Sequence, residues 1–234
     1  MIVTIHQPDF MPWYGLFQKI AAADTWIVLD HTENNPRDAA FWGRRVKTLN
    51  NGEGQWFSVT LNKAPKGVVG IPVFDMTLNL TNKKLLDKSV RTIQQAYAKT
   101  PFFKDYFYLV EHYFNHESAN LMVRNMQFMT DVMALLNIDT KVVYSSSLAV
   151  ATASTELLVD LLKKVDATTY LCGNGADGYQ QDELFAQAKI ELMYNEVRHP
   201  SYPQIRSDEF VGGLSILDGL FHLGAEAVSQ WVKP

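Results

Sequence analysis

The stretch MIVTIHQPDFMPWYGLFQKIAAADTWIVLD, residues 1–30, decides the fold. Ile2 to Ile5 is a short β-branched run that stops at His6-Gln7-Pro8, the pattern of a buried strand. Pro8 and Pro12 punctuate the loop that follows. Trp13, Leu16, Phe17, Ile20 and Ala21 recur at helical spacing and mark one face of an amphipathic helix, with Pro12 suited to its first turn. Thr25 to Leu29 is the next strand, closed by Asp30. Strand, helix and strand in so few residues form a βαβ unit, which normally joins parallel strands by a right-handed crossover.

The same alternation returns near the other end of the chain. Lys141 to Tyr144 reads as a strand, Ser154 or Thr155 caps a helix through Val165, and Thr168 to Leu171 is a further strand. A helix near Gln181 to Ala188 and a strand from Ile190 to Tyr194 complete a second βαβ-like unit, and Leu214 to Val232 is helical. Between the two units the texture differs. Residues 31–38 are polar, a basic run extends from Trp42 to Thr48, Gln55 to Leu61 reads as a strand, and Lys63 to Gly67 is a loop. Residues 82–137 read as helices over Lys83 to Lys99, Pro101 to about His116, and Ser118 to Leu136. The expectation is an α/β fold: a parallel-sheet, Rossmann-like three-layer core with a mostly helical middle segment. Residues 1–234 are expected to make one domain, with 82–137 as a helical insertion or subdomain, because no Gly/Ser/Pro linker sets that block apart.

Composition narrows the function classes. The 234 residues are 47% apolar and 20% charged, ordinary values for a globular chain. A net charge of -4 with a pI near 5.8 argues against broad binding to nucleic acid. The lone cysteine, Cys172, suits a reducing compartment. The first ten residues lack the pattern of a signal peptide, and no apolar run approaches the ~20 residues that span a bilayer. A soluble, cytoplasmic protein without a transmembrane segment is expected.

Three constellations carry chemistry. The first is His6-Gln7 with Pro8, Pro12 and Trp13. Ligands of parallel α/β sheets bind beyond the carboxyl ends of strands, where an imidazole and an amide can meet an oxyanion. The bland alternative is that His6 merely ends its strand. The second is Arg37 with Arg44, Arg45 and Lys47, whose forks suit phosphate or carboxylate, against the alternative of a solvated basic edge. The third is Gly173-Asn174-Gly175-Ala176-Asp177-Gly178-Tyr179 after a strand, where glycines let backbone approach a ligand and form an anion nest; the alternative is a surface turn. It is not a Walker loop, and as a dinucleotide fingerprint it is weak. His112 and His116 share a helical face but lack a third ligand, so no metal is expected, and nothing demands a cofactor. Cys172 reads as packed rather than nucleophilic, and Ser145-Ser146-Ser147 lacks the glycines of a nucleophile elbow. The tryptophans at 13, 26, 42 and 56 read as core and rim, with room for one to stack on a base or sugar.

Together these pieces resemble the WbqC-like family of bacterial proteins. The resemblance rests on His6 through Ile20, on Ala23-Asp24 leading to Val28-Leu29-Asp30, on Arg44-Arg45-Val46-Lys47 before Gln55-Trp56, and on Tyr170-Leu171-Cys172-Gly173 with Tyr179. His199 through Gln204, then Phe210 and Leu214 through Asp218, complete it over nearly the whole chain. It departs at Gln180-Gln181-Asp182, where the acidic residue after the glycine turn is displaced. By resemblance, Lys19, Tyr202 and Gln204 join Gln7, Trp13, Arg44, Arg45, Lys47, Gly173, Asn174, Gly175 and Tyr179 as substrate-binding residues, with His6 catalytic. The resemblance implies a transferase of surface-polysaccharide (O-antigen, lipopolysaccharide) synthesis. Its substrate would be a phosphate-bearing nucleotide sugar or activated amino acid, glycine transfer included. Two alternatives stay open: nucleotidyl transfer on ATP, suggested by the strand-His-loop-helix opening, and a non-catalytic binding module of a glycan-assembly complex.

Overall fold

The computed structural model describes residues 1–173, 180–197 and 199–232. Strand β1 (Ile2–His6) leads through α1 (Tyr14–Ala21) to β2 (Thr25–Val28). The chain continues through β3 (Glu33–Asn34), β4 (Arg45–Asn50), β5 (Glu53–Ser58) and β6 (Ile71–Pro72), then α2 (Lys83–Tyr97), α3 (Phe103–Tyr106), α4 (Tyr108–Asn115) and α5 (Leu121–Leu135). It closes with β7 (Lys141–Tyr144), α6 (Ser154–Lys164), β8 (Thr169–Gly173), α7 (Asp182–Gln187), β9 (Glu191–Asn195) and α8 (Ile216–Val232).

Five of these strands form one sheet in the order β7-β2-β1-β8-β9, and every pairing in it is parallel. The expected α/β, Rossmann-like core is therefore present. Counted along the chain, the sheet runs third, second, first, fourth, fifth. The chain thus leaves β1 toward one edge and later returns on its other side as β8. That reversal is a topological switch point, where a crevice opens beyond the carboxyl ends of the two strands. Here β1 and β8 pair only at Ile2↔Thr169 and Val3↔Tyr170, well short of His6.

The period-two pleat sorts side chains between the two faces. Val3, Ile5 and Ile27 join Leu157, Leu161, Leu162 and Phe185 from α6 and α7 in one apolar cluster. Trp26 and Val28 join Phe17 and Ile20 of α1 and Leu217, Leu220 and Phe221 of α8 in a second, larger one. Side chains of the middle helices, among them Ile93, Val110, Phe128 and Met129, belong to that same larger cluster. His6, one residue beyond Ile5, therefore turns toward the α1 face.

Several expectations are corrected. Asn51 and Gly52 both have positive φ, 51° and 83°, which makes a tight two-residue turn of the type I′ kind between β4 and β5. The basic run thus lies on a hairpin strand, and β5 spans Glu53–Ser58 rather than Gln55 to Leu61. Leu61 instead bridges Leu78. Neither Ser154 nor Thr155 caps α6; the cap position is Ala153, and the Thr155 hydroxyl accepts from the Gln181 N–H at 3.2 Å. The helix expected from Pro101 to about His116 is two, α3 and α4. Gly224, at φ 81°, interrupts α8 where the Phe102 ring packs against it. Among the described residues no helix is long and apolar enough to cross a membrane.

Candidate functional site

The loop after β1 is held from three sides. Asn125, fully buried on α5, donates through Nδ2 to Pro8 O at 2.7 Å and to Gly43 O at 2.8 Å. Its Oδ1 accepts from Tyr113 Oη at 2.9 Å, so both amide hydrogens and the oxygen are engaged. Phe10 N donates to Trp42 O, and Ser215 Oγ and Ile216 N donate to the carbonyls of Met11 and Pro12 at the entry to α8. Met11 is fully buried at φ 43°, a conformation that a non-glycine residue keeps only when its surroundings enforce it. The loop is preorganised.

This fixed loop brings three polar groups into line. His6 Nε2 lies 3.1 Å from Asp9 Oδ2, and His6 Nδ1 lies 3.2 Å from Lys19 Nζ. Lys19 reaches back from the last turn of α1 and also donates to Ile5 O at 3.3 Å. With Lys19 protonated, Nδ1 is the acceptor and Nε2 carries the hydrogen given to Asp9. Lys19 is only 5% exposed, and among the described residues no carboxylate makes an ion pair with it. Burial therefore lowers its pKa to about 8, against weaker raising effects of Asp9 and Cys172.

His6 and Lys19 line a cavity of about 320 Å³ with Trp13, Gly15, Leu16, Gly173, Asn195 and Val197. It sits at the switch point, and its size is at the lower end of the range for small-ligand sites. Among the described residues, a Cβ added to Gly173 would meet nothing within 4 Å. Trp13 is not on the helical face expected for it. It occupies the N-cap of α1 in extended conformation, and its indole folds over Gly15. A Cβ on Gly15 would lie 2.5 Å from that indole. Gly15→Ala should therefore cost about 1–3 kcal/mol by overpacking. In a Trp13→Ala background the same change should instead gain up to about 1 kcal/mol from helix propensity. Urea unfolding of the four proteins measures this reversal of sign.

The other residues singled out from the sequence are dispersed. Gln7 donates to Thr32 Oγ1 at 2.9 Å. Arg44 donates to the carbonyls of Val59 and Asp38. Arg45 stacks its guanidinium 3.5 Å from the centroid of the half-exposed Trp56 ring, and Lys47 Nζ is 5.4 Å from it. None of these four is among the described residues lining the His6 cavity. Asn174, Gly175 and Tyr179 lie outside the described residues. Tyr202 and Gln204 donate to the fully buried Asp218 at 2.6 and 2.9 Å, which Tyr97 Oη also approaches at 3.0 Å. Asp9, Asn125, Asn195 and Val197 escaped sequence reasoning. Asp9 stood in the quoted motif, and Asn195 ends a strand beside β8; Asn125 gave no local signal.

Two features set aside in the sequence make local contacts. Ser145 and Ser146 bind the buried Asp30 carboxylate through both hydroxyls and the Ser146 N–H, tying the end of β7 to the end of β2. Cys172 is buried, donates to Met193 O at 3.4 Å, and has its thiol pKa raised by that burial. No group of three or more His, Cys, Asp or Glu side chains that could hold a metal gathers among the described residues.

Residues 7–230 match the WbqC-like protein family. The chain is also similar to the uncharacterized protein Rv1507c of Mycobacterium tuberculosis, at 26% identity over 227 residues, covering 96% of this chain and 95% of that one. No solved structure matches significantly.

Proposed function

This chain belongs to the WbqC-like protein family, and on that premise we propose that it is a transferase of bacterial surface-polysaccharide synthesis. Its donor is a phosphate-bearing nucleotide sugar or activated amino acid, and glycine is the amino acid whose transfer the family resemblance implies. The observation that carries this reading is the meeting of His6, Lys19 and Gly173 around one cavity at the switch point of the sheet. A parallel sheet presents ligands there to free backbone N–H groups and to side chains at the strand ends. The His6–Asp9–Lys19 cluster supplies acid–base capacity to deprotonate an acceptor amine or hydroxyl. Lys19 is hydrogen-bonded to that imidazole, while Arg44, Arg45 and Lys47 offer a positive surface on the hairpin for a leaving phosphate.

A thermal-shift panel of nucleotides, nucleotide sugars, glycine and acyl carriers tests the proposal. A specific donor at about a hundredfold excess over its Kd stabilises by about 2.7 kcal/mol, which raises the Tm of a chain this size by roughly 5–10 °C. A shift confined to a nucleotide sugar or an activated amino acid is expected. A shift only with magnesium and ATP would replace the proposal by nucleotidyl transfer, and a flat panel would favour a non-catalytic binding module.

A further inference from the structure

We propose that Lys19 is the proton-exchanging amine of the cavity, with His6 and Asp9 as the residues that position it. The identity of its substrate, an acceptor amine or hydroxyl, rests on the transfer reading above. The assignment of the amine itself rests on geometry.

Among the described residues, both ring nitrogens of His6 are engaged, Nε2 by Asp9 and Nδ1 by Lys19. The imidazole therefore has no free lone pair to offer a ligand. Lys19 differs. Two directions around Nζ are taken by Ile5 O and His6 Nδ1, which leaves a third on a side chain that lines the cavity. The order carboxylate, imidazole, reactive group is the one by which a carboxylate orients an imidazole and the imidazole orients a nucleophile or base. Here an amine stands in the last place. Among the described residues, the titratable groups facing Nζ are His6 and Asp9 from β1 and its loop, and Cys172 from β8. Burial holds the amine near neutrality at about 8, so a usable fraction is uncharged under physiological conditions. In that form Nζ takes the acceptor's proton as the acceptor's lone pair makes the new bond. The donor's phosphate leaves with its bonding pair, and the ammonium then returns the proton to solvent.

Competitive labelling of the full chain with trace acetic anhydride, read lysine by lysine by mass spectrometry from pH 6 to 11, tests this without any substrate. Lys19 should titrate with a midpoint near 8, as its burial dictates, whereas exposed lysines should titrate at about 10.4. At pH 7 its uncharged fraction is then roughly two orders of magnitude above theirs. Asp9→Asn removes a raising influence and should lower the Lys19 midpoint further, while the exposed lysines keep theirs. A Lys19 that stays unlabelled, or that titrates with the surface lysines, overturns the proposal. So does a midpoint that Asp9→Asn leaves unmoved in a variant that melts like the parent. A flat ligand panel would end the transfer reading and leave this titration curve standing, so the two can fail separately.

Discussion

Asp218→Ala is expected to destabilise the chain by about 3–5 kcal/mol, because it removes the acceptor that three buried donors share. The carboxylate is fully buried in the first turn of α8, where the positive end of the helix favours it. Tyr202 Oη and Gln204 Nε2 donate to one oxygen, and Tyr97 Oη to the other. Tyr97 in turn accepts from Leu49 N at 2.7 Å, which links α8 to the hairpin. Burial, reinforced by the carboxylate, raises both tyrosine pKa values far above the usual range, so the hydroxyls remain donors at any pH the fold survives. Tyr202→Phe keeps the ring stacked on Trp231 and removes one donor to the charge, and should cost about 1.5–3 kcal/mol. Urea midpoints at constant slope measure both. A loss below about 1 kcal/mol for the alanine variant would show that these donors find other partners.

The second large effect falls on turnover rather than stability. His6→Ala should lower kcat/KM by about 10²–10⁴-fold on the substrate that the thermal-shift panel identifies. The fold should survive, because the His6 side chain is 37% exposed and lies outside both apolar clusters, with a loss of about 1–3 kcal/mol for the acceptor taken from the buried Lys19. His6→Gln is the informative companion. Its amide oxygen can still accept from Lys19 and its NH2 can still donate to Asp9, but it cannot carry a proton. If Lys19 is the group that meets the substrate, glutamine should recover at least about tenfold over alanine, since the geometry is kept. Equal losses in the two variants would return the proton chemistry to the imidazole.

The Asp218 network also explains why a motif can mark residues without revealing their work. The family resemblance marks Tyr202 and Gln204 as substrate-binding residues. Both face inward to Asp218 instead, and thereby hold the segment that brings His199 against Tyr14 and Trp13 beside the cavity. Their influence on the site passes through packing. The Arg44–Lys47 run is similar: as a string of cations it suggests an anion clamp, and only the folded hairpin, which pairs Lys47 with Trp56, shows Arg45 lying on that ring.

Local pattern alone determined that this chain alternates parallel strands with helices and that His6 ends the first strand. Each of those follows from the period of apolar residues and from prolines and glycines, which act within a few bonds of themselves. The tertiary structure alone decided the strand order, and with it the meeting of His6 and Gly173 across 167 residues of chain. It also decided that Asn125 would clamp the loop at Pro8 and that Lys19 would be buried at the cavity wall with, among the described residues, no carboxylate in an ion pair with it. Periodicity tells which face of an element is buried; what covers that face depends on contacts between residues far apart in the chain, and those contacts set the desolvation and hydrogen bonding on which the chemistry of Lys19 depends.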